Sequence, residues 1–173
     1  LLAEYASEKR LFVPVEAIPP RLIQAFISAE DKAFFTHFGD DLRALVRAVI
    51  TNVVNYGSGR RPVGASTITQ QVTKNFLLTN EVSIDRKIKE AILSLRMERA
   101  FTKDQILALY LNEIYLGRGS YGVAAAALKY FDKSLDQLDL QEMAYLAALP
   151  KAPNNYHPTN NRRAAKVRRN WVL

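Results

Sequence analysis

The chain has 173 residues, no cysteine, 49% hydrophobic residues, and 24 Lys plus Arg against 17 Asp plus Glu, for a formal net charge of +7. That size and apolar content suit one compact domain with its own core, and the missing cysteines exclude a disulfide framework and a thiolate metal site. The positive balance favours an anionic partner (a phosphate-bearing ligand, a nucleic acid or anionic lipid headgroups), and no stretch approaches the roughly 18 to 20 apolar residues of a membrane span.

Leu11-Phe12-Val13-Pro14-Val15 reads as a short extended run that Ile18-Pro19-Pro20 closes, because a proline pair cannot continue a regular ladder. Pro20 suits a first helical turn, and Ile23, Phe26, Ile27, Glu30 and Phe34 then recur at three- and four-residue steps, which places Glu30 on an apolar stripe. A second amphipathic stretch runs from Leu42 to Val54, and a basic loop, Tyr56 to Pro62, breaks it. Thr67 and Gln70 are spaced as a capping box for a third helix, and a fourth follows Ser83 with Ile84, Ile88, Ile92 and Leu95 as its apolar face. Thr102 and Gln105 repeat the capping signal ahead of Ile106, Leu109, Tyr110 and Ile114. Gly117 to Gly122 forms a turn, an alanine-rich helix follows to Phe131, and another helix is predicted from Asp139 to Leu149. Lys151 to Pro158 reads as loop and the basic segment Arg162 to Leu173 as a last helix, so the fold class is mainly α.

Three clusters carry chemistry. In the first, Glu30-Asp31-x-x-Phe34-x-x-His37, a continued helix would put a carboxylate, a ring and an imidazole on one face. A carboxylate beside Phe26, Ile27 and Phe34 would be partly desolvated, which makes it a better proton acceptor. On these residues alone a helix-boundary charge at Glu30 and a C-terminal cap at His37 account for the pattern equally well. In the second, Ser66-Thr67-Ile68-Thr69-Gln70-Gln71-x-x-Lys74, hydroxyl, amides and ammonium gather near a helix start, a seat for phosphate or sugar hydroxyls; its plain alternative is a capped surface helix. In the third, Arg86, Lys87 and Glu90 share one helical patch, which ordinary surface pairing also explains.

In this order the three clusters resemble the signature blocks of the glycosyltransferase domain of class A penicillin-binding proteins and monofunctional peptidoglycan glycosyltransferases. Lys103-x-x-Ile106-Leu107-x-x-Tyr110-Leu111-Asn112 is similar to the family's fourth block and Arg168-Arg169-x-x-Val172-Leu173 to its fifth. The resemblance implies a lysozyme-like, two-lobed helical domain over residues 1–173, with the family's N-terminal membrane helix and any transpeptidase domain outside the sequence. It implies polymerisation of lipid II, with inversion at the donor carbon and release of lipid pyrophosphate, on the outer face of the bacterial cytoplasmic membrane. Carried over by motif, Glu30 is the general base and Glu90 the second functional carboxylate. Lys74, Arg86 and Lys87 stabilise the pyrophosphate, and Asp31, Phe34, His37, Ser66, Thr67, Gln70 and Gln71 shape the substrate cleft.

The resemblance also leaves room for a divalent cation, Mg²⁺ or Mn²⁺, bound by Glu90 through water. The implied partners are lipid II, the lipid-linked growing glycan, an anionic membrane surface met by the 42–54 helix with Arg60 and Arg61, and further cell-wall synthesis proteins. Nucleic acid is not among them, because the basic residues are scattered and no nucleic-acid motif occurs. Two rival readings are a lytic or lysozyme-type glycosidase, which needs an acid to protonate a glycosidic oxygen, and a non-catalytic helical module for anionic membranes, which has no use for Glu30.

Overall fold

The structure, a computed structural model, describes residues 9–37, 66–77, 84–156 and 158–173. The expected 42–54 helix, the basic loop at 56–62, and the start signal at Ser83 lie outside the described residues. In chain order the elements are β1 (Lys9–Arg10), α1 (Pro20–Glu30), α2 (Ile68–Leu77), α3 (Ile84–Ala100), α4 (Lys103–Glu113), β2 (Ser120–Tyr121), α5 (Val123–Phe131), α6 (Leu140–Ala148) and α7 (Pro158–Val172). Short 3₁₀ turns stand at Val15–Ala17 and Leu135–Gln137. The chain divides into two compact units, one of Leu1–Lys32 with Leu107–Leu173 and one of Ala33–Ile106.

The core of the first unit is helical. Pro20 occupies the first turn of α1, where its fixed φ suits a helix and its missing N–H is no loss, and the helix buries Leu22, Phe26 and Ile27. α1 packs on α6, and α6 on α7. Burial on all sides explains why α6 runs unbroken as Met143 to Ala148 with no exposed face. Its start is fixed by a reciprocal cap: the Glu142 N–H donates to Asp139 Oδ1 at 2.8 Å, and the Asp139 N–H donates to Glu142 Oε2 at 2.8 Å.

The extended run expected at Leu11 to Val15 forms no strand of its own: the ladder lies just before it at Lys9–Arg10, and Val15 already opens a 3₁₀ turn. β1 pairs with β2 in parallel, Lys9 opposite Ser120 and Arg10 opposite Tyr121, and beyond it the chain is held by a side chain instead of a ladder. The Val13 N–H donates to Asn112 Oδ1 at 2.7 Å, and Asn112 Nδ2 donates to the Val13 carbonyl at 2.8 Å. Asn112 thus imitates a neighbouring strand for one residue, which leaves Pro14 free of any ladder demand. Gly122 closes on the same spot: its φ is +80°, and a Cβ there would stand 2.4 Å from the Asn112 carbonyl oxygen.

In the second unit α2 packs on α3. Both capping boxes read from the sequence are present. The Thr67 N–H donates to Gln70 Oε1 at 3.2 Å with the Gln70 N–H returning to Thr67 Oγ1 at 3.2 Å, and the Thr102 N–H donates to Gln105 Oε1 at 2.9 Å.

Two expectations are overturned. α1 ends at Glu30, and Asp31 leaves the helix with φ −156° and ψ 77°, so residues 30, 34 and 37 do not share a helical face. The apolar spacing that suggested a longer helix arises because Phe34 is buried in the second unit. The orientation of α3 is also reversed. Ile88 and Ile92 are 54% and 47% exposed and Leu95 is exposed, whereas Glu90, Ser94, Met97 and Glu98 are buried. A polar network on the inner side of α3 decides that orientation.

Candidate active site

Glu90 is the centre of that network. It is 2% exposed, and a buried carboxylate is stable only when its charge is matched and its oxygens are satisfied. Arg86 Nη1 lies 2.7 Å from Glu90 Oε2, and Lys87 Nζ pairs with Oε1. Both cations arise from one helix because residues three and four positions apart share a face. Lys87 also donates to Ser66 Oγ at 3.0 Å, which ties the third sequence cluster to the second. Arg86 is mostly covered while Lys87 is 48% exposed, so the group carries a net positive charge with one ammonium open to solvent.

A second buried carboxylate, Glu98, lies outside the three sequence clusters. Glu98 Oε1 accepts from Thr69 Oγ1 at 2.5 Å and lies 2.7 Å from Lys103 Nζ. Lys103 Nζ in turn stands 4.5 Å from the centre of the Phe34 ring, whose edge meets His37 at a centroid distance of 6.2 Å. A residue from the fourth block therefore fixes the aromatic residue of the first, and Thr69 joins both to the helix that opens with Thr67 and Gln70. Thr67 and Gln70 are buried, Gln71 is partly covered and Lys74 is exposed, so the pattern is no capped surface helix. The periodicity gave no signal for Glu98, since it shares its face with polar neighbours.

The first unit holds Glu30 and Asp31 at the C-terminal end of α1. Glu30 is half-buried and Asp31 buried. Arg168 on α7 approaches the last turn of α1, its Nη2 3.5 Å from the Ala29 carbonyl, and its guanidinium lies 3.9 Å from the centre of Trp171. The fifth sequence block thus supports the segment that presents Glu30. Beneath it the Tyr110 ring meets Phe26 edge-on at 6.2 Å, and burial, with the nearby Glu30 and Asp31, pushes the Tyr110 hydroxyl well above the usual phenol range. Each unit therefore gathers its own share of the expected residues: Glu30 and Asp31 in the first, and Phe34, His37, Ser66, Thr67, Gln70, Gln71, Lys74, Arg86, Lys87 and Glu90 in the second.

The family model described as transglycosylase matches residues 1–173. The chain belongs to the transglycosylase family. This transglycosylase is 58% identical over its full length to penicillin-binding protein 1A of Rickettsia felis, of which it covers 22%. It is 48% identical over its full length to penicillin-binding protein 1A of Escherichia coli, of which it covers 20%. A crystal structure of penicillin-binding protein 1A from Haemophilus influenzae matches 98% of the transglycosylase and 15% of that chain, with a TM-score of 0.52 and 29% identity. The mainly helical fold expected from the sequence agrees with that likeness. The chain spans about a fifth of the length of these relatives. Among the described residues no helix of this transglycosylase is long and apolar enough to cross a membrane.

Proposed function

We propose that this domain is a peptidoglycan glycosyltransferase that joins lipid II to a lipid-linked growing glycan. The observation that carries the reading is the cationic pair on buried Glu90, which suits a leaving group that gains negative charge. A pyrophosphate departs without being protonated, so positive groups on its side lower the barrier where a glycosidase would need an acid. In the proposed step the acceptor 4-hydroxyl attacks the donor's anomeric carbon, its proton passes to Glu30, and the α-linked lipid pyrophosphate leaves as a β-1,4 bond forms. Inversion requires the base and the cations to act on opposite sides of the donor sugar. Arg86, Lys87 and Lys74 receive the pyrophosphate charge, with Glu90 keeping Arg86 and Lys87 in register. Asp31, Phe34, His37, Ser66, Thr67, Gln70 and Gln71 shape the site around the sugars.

A divalent cation, Mg²⁺ or Mn²⁺, would be held by Glu90 through water beside Arg86 and Lys87, and would add positive charge on the side of the pyrophosphate. Membrane contact belongs to the same proposal. The exposed Ile88, Ile92 and Leu95 stripe on α3, with exposed Lys89, Arg96 and Arg99 on the same helix, is of the kind that buries apolar side chains among acyl groups while cations meet anionic headgroups. The same proposal puts the domain's work at the outer face of the bacterial cytoplasmic membrane, alongside other cell-wall synthesis proteins. Incubation with lipid-linked disaccharide, and separately with preformed glycan, tests the reading. Polymer with released lipid pyrophosphate is expected; shortened glycan without polymer would assign a hydrolase instead.

A further inference from the structure

Tyr110 is 1% exposed, and its hydroxyl has no hydrogen-bond partner among the described residues. Leaving such a group unsatisfied in an interior costs stability, and a phenylalanine would fill the same space without that cost. The ring meets Phe26 of α1 edge-on, and Glu30 stands one helical turn beyond Phe26 on the same side of that helix. We infer that Tyr110 is a positioning residue for Glu30, its hydroxyl donating to the Glu30 carboxylate when that side chain turns to take up the acceptor's proton.

The charges around it fit that role. Burial and the neighbouring Glu30 and Asp31 raise the hydroxyl's pKa, so it remains a donor over the whole working range. Asp31 beside Glu30 repels a second negative charge, and a donated hydrogen bond offsets that repulsion. Arg168 of α7 is directed to the Ala29 carbonyl and to Trp171, and Lys32 stands 5.8 Å from the centre of the same tryptophan. A fixed hydroxyl serves where a mobile cation would compete with the proton being transferred.

The inference rests on Glu30 being the base, so Tyr110→Phe and Glu30→Gln are assayed together on lipid-linked disaccharide. For Tyr110→Phe, kcat is expected to fall about tenfold with KM within twofold, and the acid limb of the rate profile to move up by about one pH unit, the size of one hydrogen bond to a charged group. Its melting temperature is expected to match or exceed the wild-type value, which separates the effect from a folding defect. A wild-type kcat, or a loss of rate that leaves the acid limb in place, would overturn the inference while an inactive Glu30→Gln keeps the base. Full activity in Glu30→Gln would remove the reading beneath it.

Discussion

Arg86 and Lys87 do different work on the same carboxylate. Arg86 is mostly covered and Glu90 is buried, so their ion pair is little screened by water; Glu90→Ala is expected to cost about 3 kcal/mol, read from the shift of the urea midpoint at constant slope. Lys87 is half-exposed, so Lys87→Ala is expected to change stability by less than about 1 kcal/mol yet to slow polymerisation on the order of 30-fold, checked by steady-state rates beside a thermal melt. The reverse pattern, a large stability loss with a normal rate, would make Lys87 a structural residue. The spacing of Arg86, Lys87 and Glu90 was legible in the sequence because helical geometry brings such residues together. Their burial was not, since nothing local says which side of a helix meets its neighbours. Glu98 and the Tyr110 hydroxyl stayed hidden for the same reason: each matters through partners remote in the chain.

At the scale of single elements, capping signals were the most readable part of the sequence, because a side chain three residues away satisfies an N–H whatever the rest of the fold does. Apolar periodicity misled twice. α1 stops at Glu30 although the pattern runs on to Phe34, and α3 turns Ile88 and Ile92 outward because the polar groups of its other face already have partners. If the outward stripe serves a lipid surface, Ile88→Ser with Ile92→Ser should leave the urea midpoint within about 0.5 kcal/mol of wild type while reducing sedimentation with anionic vesicles. Normal vesicle binding would assign the stripe no lipid role. At the turn before α5, Gly122→Ala should destabilise by about 3 kcal/mol, since it combines a left-handed φ with a Cβ driven into the Asn112 carbonyl; circular dichroism on urea titration measures it.

Over the whole molecule, the sequence order conceals how the chain is partitioned. The first unit is assembled from two separated stretches, and Val13 is clasped by Asn112 from the second of them. No local pattern could announce that pairing, because its energy comes from groups that are far apart until folding is complete. Tyr110, Tyr130 and Tyr145 in this unit all have hydroxyls raised by burial, Tyr130 to about 12. Raised values favour the neutral form, so their contribution is whole below the unfolded phenol value of about 10 and is lost as pH rises through the folded values. The melting temperature should therefore hold up to about pH 10 and fall steeply above it; a flat profile to pH 12 would contradict those burials. The five sequence blocks acquire a common purpose only if Glu30 takes the acceptor's proton. The most direct test is the rate of lipid pyrophosphate release by Glu30→Gln, in protein shown by its melt to be folded. The account predicts a loss of at least about a thousandfold, and release at the wild-type rate would contradict it.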